Sequence, residues 1–265
     1  MKAALIDSHC HLNQLDLSAF DDNLDNALDA ARAAGVQHFL SVCITPDDIE
    51  ALHALTKKHA DISMSVGVHP NEVTHHYLTQ KKLHQLADAP DCIAIGETGL
   101  DYFRTETPEA CHTQRESFRH HIRVAKEHQK PLIIHTRAAA EDTLKILEEE
   151  RADTIGGVMH CFSENWEIAR RALDLNFYIS FSGIVTFKNA HVLHDVAKKV
   201  PLDRMLIETD SPYLAPTPYR GKPNHPAWVQ HVAEAISHLR ETSYENIARE
   251  TTLNFYRCFN LAIPS

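Results

Sequence analysis

The sequence predicts a single (β/α)₈ barrel spanning 1–265 with one additional C-terminal helix, and three observations carry that reading. Short apolar segments alternate eight times with stretches of helical periodicity. The length of 265 residues suits one large α/β barrel, and no Gly-, Pro- or Ser-rich linker divides it. The first apolar segment runs into Asp7-Ser8-His9-Cys10-His11. A doubly wound open sheet would usually place a glycine-rich phosphate loop at that point.

Taken in order, the first strand is Leu5-Ile6-Asp7-Ser8-His9-Cys10-His11; side chains alternate along it, so His9 and His11 point one way and Cys10 the other. A helix is expected over 20–34, with Asp21 and Asp22 near its start and Gly35 as its stop. A second strand follows over 36–44, then a helix opened by Pro46-Asp47-Asp48 and ending near 59. The third strand, 62–70, carries His69 at its end and leads to a weaker helix over 80–87. The fourth strand covers 92–97 and ends on Glu97. In the long helix over 108–128, Phe118, Ile122 and Ala125 recur at helical spacing. Strands over 131–135, 156–160, 177–181 and 205–210 then alternate with helices over 139–150, 165–175 and 189–200. Helices over 227–240 and 244–259 close the chain.

A hydrophobic content of 43% with 23% charged residues is that of an ordinary soluble globular protein, and no apolar run approaches a membrane span. The stretch 1–7 reaches an acid too early for a signal-peptide core, so a cytoplasmic location is expected. Cysteines 10, 43, 92, 111, 161 and 258 show no Cys-x-x-Cys spacing and read as free thiols, several of them small hydrophobes inside strands. With 26 basic and 36 acidic side chains the net charge is 26 − 36 = −10, which excludes a broad electrostatic grip on a nucleic-acid backbone. It leaves room for a local positive site.

Chemistry collects at the strand ends: His9 and His11 on the first, His69 on the third, Glu97 on the fourth, His135 on the fifth, His160 on the sixth and Asp210 on the eighth. Singly, each is an ordinary polar strand-end residue. In a parallel barrel, however, these ends meet on one face, where barrel enzymes hold their active sites. Four of these imidazoles, His9, His11, His135 and His160, with the two carboxylates exceed one tetrahedral ion and suit two divalent cations sharing a carboxylate. The nitrogen-rich set favours Zn, Mn, Co or Ni over Ca, with Mg still possible. Two dications against Glu97 and Asp210 leave a formal charge of about +2, suited to an anionic substrate. Arg137, two residues after His135, and Arg220, in Pro218-Tyr219-Arg220-Gly221-Lys222-Pro223-Asn224, are the candidates for phosphate. Glu208 and Asp210 are two apart and expected on one face, Asp210 as ligand and base and Glu208 as its support or a weak third-metal ligand. Asp7 shares the face of His9 and is expected to orient it. Ser182-Gly183 lacks the Gly-x-Ser-x-Gly elbow, and no cysteine has a convincing base beside it; Cys161 follows His160, but alternation turns Cys161 away from the site. Where related metallohydrolases use a carboxylated lysine, the fourth strand offers Glu97.

These residues resemble the TatD family of metal-dependent deoxyribonucleases, within the amidohydrolase-like barrels. The resemblance spans the chain through Ile6-Asp7-Ser8-His9-Cys10-His11-Leu12, Gly67-Val68-His69-Pro70, Ile95-Gly96-Glu97-Thr98-Gly99-Leu100-Asp101-Tyr102 and Gln114-Arg115. It continues in Ile134-His135-Thr136-Arg137-Ala138, His160-Cys161-Phe162-Ser163 and Ile207-Glu208-Thr209-Asp210-Ser211-Pro212-Tyr213-Leu214. It implies one metal on His9, His11, Glu97 and Asp210 and a second on Glu97, His135 and His160. It also implies phosphodiester hydrolysis, in some members as a 3′–5′ exonuclease on single-stranded DNA. On that reading Asp210 is the general base, Arg137 and Arg220 steady phosphate charge, and His69 hydrogen-bonds the substrate or leaving group. The expected partner is single-stranded DNA or another phosphate-bearing substrate, with no membrane and no obligate protein partner. Two departures bear on substrate preference: His69-Pro70-Asn71 where many members carry His-Pro-His, and Asn224-His225-Pro226 where Asn-Glu-Pro is usual. The competing readings are hydrolysis of another ester, a lactone or an amide, including a nucleotidyl or aminoacyl-tRNA ester, or metal binding without catalysis.

Overall fold

Eight parallel strands pair in chain order in the computed structural model, which describes residues 4–76, 78–105 and 107–263. They are β1 (Leu5–Cys10), β2 (Val36–Ser41), β3 (Ile62–Val66), β4 (Cys92–Asp101), β5 (Leu132–Arg137), β6 (Gly157–Met159), β7 (Phe177–Phe181) and β8 (Met205–Ile207). Around them run α1 (Leu24–Ala34), α2 (Ile49–Lys58), α3 (Gln80–Ala87), α4 (Pro108–His128), α5 (Ala140–Glu149), α6 (Trp166–Asp174), α7 (His191–Lys199), α8 (Val229–Leu239) and α9 (Tyr244–Cys258). This is the (β/α)₈ barrel with its extra C-terminal helix. The seam between β8 and β1 is closed just beyond β8, where Asp210 N–H donates to the His9 carbonyl (2.9 Å) and His11 N–H to the Ser211 carbonyl (2.8 Å). Barrel closure therefore runs through three of the candidate site residues.

Helix bounds follow caps. The side chains of Thr79, Thr107, Asn165 and Ser243 accept a backbone N–H at the starts of α3, α4, α6 and α9. Asn23 does the same for α1, so that helix begins at Leu24 rather than at 20, and Ser18–Phe20 forms a separate 3₁₀ turn. Strand ends depart more. β3, β6 and β8 stop before His69, His160 and Asp210, which lie in the turns beyond them. β4 instead runs four residues past Glu97. Its register explains why: Ile95 faces Leu132 but Thr98 faces Ile134, so β4 carries one extra residue between them, and Glu97 lies in that bulge. Gly99 permits the close approach to β5, since a Cβ there would collide with the His135 carbonyl and its φ of +139° suits glycine alone.

The apolar core has two parts. Most buried side chains lie between the sheet and the helix layer. A smaller cluster joins Ile6, Leu40, Ile133, Val158, Tyr178 and Leu206, from strands on opposite sides of the sheet, to Phe255, Cys258 and Phe259. Such strands share neighbours only inside the barrel. The end of α9 and the residue after it therefore plug the interior, which gives the extra helix its structural role and leaves the chemistry at the other mouth.

The turn carrying His69 is tied down by a residue that periodicity does not single out. His121 on α4 is buried; its Nδ1 donates to the Ser117 carbonyl (2.7 Å) and its Nε2 accepts Val68 N–H (3.1 Å). Burial pushes its pKa down to about 4, the bond to Ser117 offsetting only part of that. In the unfolded chain it titrates near its ordinary value of about 6.5. The neutral ring therefore stabilises the fold fully above that value, and the contribution is lost as pH falls toward 4. Urea denaturation should show about 2 kcal/mol lost through this group between pH 7 and pH 5, absent from the acid slope of His121→Gln. An unchanged slope in the variant would show that His121 does not carry this acid sensitivity.

Candidate metal centre

The β4 bulge aims Glu97 into the C-terminal mouth, where the turns after the other strands converge on it. Its Oε1 lies 2.8 Å from His160 Nε2, 2.9 Å from His135 Nδ1 and 3.5 Å from His69 Nε2. Its Oε2 lies 3.4 Å from His9 Nε2. On the far side, Asp210 Oδ1 is 3.4 Å from His11 Nε2 and 3.6 Å from His9 Nε2. The rings of His9 and His160 stack with centroids 3.8 Å apart. The donors thus fall into one group of His9, His11 and Asp210 and another of His135 and His160, with Glu97 touching both. Donor atoms of His9, His11 and Asp210, and of His69, Glu97 and His135, each lie within 4.8 Å of one another, as do those of His9, His160 and Glu208.

Hydrogen bonds on the outer ring nitrogens decide what the inner ones offer. His11 Nδ1 faces the Val42 carbonyl (3.2 Å), His160 Nδ1 faces Glu208 Oε1 (3.2 Å), and His135 Nε2 faces Asp101 Oδ2 (3.2 Å). Each outer partner is an acceptor, so the neutral ring keeps its proton there and turns a lone pair inward, toward a carboxylate oxygen. Lone pair against anion at 2.8–3.4 Å is repulsive unless a cation lies between them. His9 is fully buried, and neither of its ring nitrogens has a hydrogen-bond partner. An imidazole left so is costly in a folded interior. Inward lone pairs, an orphaned ring and two carboxylates fit divalent cations, and the nitrogen-rich donor set suits Zn, Mn, Co or Ni.

Protons are the competing cations. Burial opposes charge on His160, but Glu97 and Glu208 outweigh it and hold its pKa well above the ordinary value. Burial likewise opposes charge on His11 and His135, and Asp210, for the first, and Asp101 with Glu97, for the second, raise them. Glu97 is penalised by burial yet held well below the carboxylate range by His160, His69 and the bond from His135. His69 differs from the others. Its Nδ1 accepts Asn71 N–H (3.1 Å), which puts the proton on Nε2, and burial keeps it neutral with a pKa of about 4. It offers the site an N–H donor where its neighbours offer lone pairs.

Two expectations drawn from strand alternation are corrected. Asp210 lies beyond β8 in the left-handed region (φ 55°), so it does not share a face with Glu208. Asp210 turns to His11, whereas Glu208 accepts from His160 Nδ1 and Cys161 N–H (2.7 Å). Asp7 does not orient the His9 ring. Its carboxylate takes the Thr209 N–H (2.9 Å) and hydroxyl (2.5 Å) and meets His9 only at the backbone N–H (3.4 Å). Arg137, the last residue of β5, and Arg220, in the loop after β8, are exposed, with guanidinium carbons 3.9 Å above the Phe103 ring and 4.1 Å above the Phe187 ring. Among the described residues neither pairs with an acid or hydrogen-bonds the donor cluster.

Sequence reasoning misses Asp101 and Asn224. Asp101 Oδ2 also accepts from the Asn71 amide (3.0 Å), and Oδ1 accepts Phe103 N–H (3.1 Å) and Arg104 N–H (3.0 Å). Its signal is an acid four residues after Glu97, on the same side of a strand that continues. Asn224 donates to the Thr209 (2.9 Å) and Tyr213 (2.6 Å) carbonyls and so holds the turn containing Asp210. Of the two departures, Asn71 supports Asp101, and the His225 ring packs on Phe20 and Trp228.

The chain matches the family described as TatD related DNase over residues 6–260. It is 48% identical over 257 residues to the uncharacterized metal-dependent hydrolase YcfH of Escherichia coli, covering 97% of this chain and 96% of that protein. With YabD of Bacillus subtilis, also named an uncharacterized metal-dependent hydrolase, it shares 40% over 260 residues, covering 97% and 99%. The crystal structure of YjjV, a TatD homologue from Escherichia coli, superposes with a TM-score of 0.89 at 27% identity, covering 97% of this chain and 98% of that one.

The carboxylate behind His135 gives a direct check. Asp101→Asn should weaken metal binding at the His135 and His160 group by 10–100-fold, the usual cost of losing such a partner, while the His9, His11 and Asp210 group is spared. Chelator competition on wild type and variant measures this. Equal affinities at both groups would mean that Asp101 does not set the His135 ring.

Proposed function

We propose that this chain, which belongs to the TatD family of metal-dependent hydrolases, is a deoxyribonuclease that shortens single-stranded DNA from its 3′ end. Two divalent cations, one on His9, His11 and Asp210 and one on His135 and His160, would share Glu97. The observation that carries the reading is Glu97 itself, whose two oxygens reach both donor groups. When bound, such a pair supplies positive charge that polarises a phosphodiester and acidifies water.

The chain's own residues then divide the work. Asp210 is the general base: burial disfavours its charge, but the bond from His11 and the charges of His160 and His9 hold its pKa below the ordinary carboxylate value. It is therefore ionised and able to take the proton of an attacking water. His69 presents Nε2–H to a substrate or leaving-group oxygen. Arg137 and Arg220, without acidic partners among the described residues, are free to fork onto phosphate oxygens. Glu208 and Asp101 hold His160 and His135 in the ligating tautomer. The whole chain serves as one catalytic domain. All six cysteines are unpaired, which supports a reducing, cytoplasmic location, and no helix among the described residues is long and apolar enough to cross a membrane.

The test strips the metals by chelation and restores Zn, Mn, Ni, Co or Mg separately. A labelled single-stranded DNA is then assayed beside lactone, amide and aminoacyl-ester panels. Progressive loss of 3′ nucleotides is expected; hydrolysis of the other panels alone overturns the nuclease reading. In Asp210→Asn, with retained metal verified, kcat on DNA should fall 10²–10⁴-fold. Full activity there would remove Asp210 as the base.

A further inference from the structure

Four large apolar side chains stand out as exposed among the described residues, and two of them are aromatic rings rooted at the metal centre: Phe103, 62% exposed, and Tyr213, 51% exposed. Each is anchored beside a different donor group. Phe103 lies two residues beyond Asp101, which holds its backbone N–H on Oδ1 while Oδ2 meets His135. Tyr213 lies three residues beyond Asp210 and donates its N–H to the Asp210 carbonyl (2.9 Å). Its ring stands edge-on to His11 with centroids 6.1 Å apart, and its hydroxyl donates to Gln14 Oε1 (3.2 Å). One ring therefore belongs to the Glu97–His135–His160 side and the other to the His9–His11–Asp210 side.

The backbone at both rings is pinned, while the rings themselves stay more than half exposed. Asp101 pins the turn at Phe103, and Asn224 pins the Tyr213 carbonyl. An aromatic face open to water beside a candidate site is a surface on which a flat apolar group can stack. The charge around them narrows the ligand. Arg137 stacks on Phe103 itself, and Arg220 stacks on Phe187 in the turn after β7, so guanidinium groups accompany aromatic faces in a chain of net charge −10. A flat, uncharged face joined to a phosphate is what such a pairing accommodates, and an unpaired nucleotide has both.

We infer that Phe103 and Tyr213 are base-stacking platforms that bracket the metal centre, one on each side of the phosphodiester to be cut. This rests on the nuclease reading above and adds to it the residues that select substrate. A strand crossing the mouth lays one base on each ring, with its backbone between them over Glu97. Bases in a duplex are already stacked and show no free face, so the arrangement selects single strands or frayed ends. Stacking accepts every base, so little sequence preference accompanies it.

The test uses the metal-loaded enzyme, Phe103→Leu, Tyr213→Leu and the aromatic replacements Phe103→Tyr and Tyr213→Phe, with metal content verified in each. Two substrates are compared: a labelled single-stranded oligonucleotide and the same strand carrying abasic residues at its last two 3′ positions. Each leucine variant should raise KM for the intact strand roughly tenfold, the order of one lost stack, with little change in kcat. On the abasic strand the leucine variants should match wild type, and the aromatic replacements should restore KM on the intact strand. Equal losses on both strands, or no loss on the intact one, overturn the stacking role. If wild type leaves both strands uncut and hydrolyses only lactones, amides or other esters, the nuclease reading fails and the platforms fail with it. If wild type cuts DNA and the leucine variants equal it, the platforms alone fail.

Discussion

Imidazole lone pairs facing buried carboxylates are the constraint on which the structure depends. Glu97 and Asp210 are enclosed by His9, His11, His135 and His160, and three of those rings are turned by outside acceptors so that their bare nitrogens face inward. Such an arrangement is stable only around positive charge. Protons satisfy it one ring at a time, which is why His11, His135 and His160 hold theirs above the ordinary range. Divalent cations satisfy it more completely and also give the orphaned His9 a partner.

Much of the barrel serves that centre. The seam between β8 and β1 is completed by backbone bonds at His9, His11 and Asp210, so the same bonds close the barrel and place the first donor group. The bulge in β4 spends one residue to aim Glu97 at both groups. The end of α9 fills the opposite end of the interior, which lets the mouth remain polar without opening the core. Backbone in the left-handed region at Cys161 and Asp210 marks where the chain leaves regular geometry to bring Glu208, His160 and Asp210 to the site.

The barrel was legible because alternating apolar and helical stretches reflect burial, which is local in sequence, and α3 and α4 begin and end where periodicity and caps place them. His9, His11, Glu97, His135, His160 and Asp210 were legible as polar residues at the ends of apolar runs. What escaped depends on distant neighbours. The length of β4 follows from its pairing with β5. The separation of Glu208 from Asp210 follows from a left-handed turn that alternation cannot anticipate. Asp101, Asn224 and His121 act on residues 34, 15 and 53 positions away, and no periodicity records such contacts. Alternation pairs Asp7 with His9, two residues on, whereas its carboxylate binds Thr209, across the closing seam.

The central claim is that Glu97 is shared between two cations. Metal content per chain, measured by mass spectrometry after loading with Zn and gel filtration, tests it most directly when wild type is compared with Glu97→Gln. The account predicts two ions per chain in wild type and loss of both in the variant, whose amide cannot bridge. One ion in wild type, or two retained in Glu97→Gln, would contradict it.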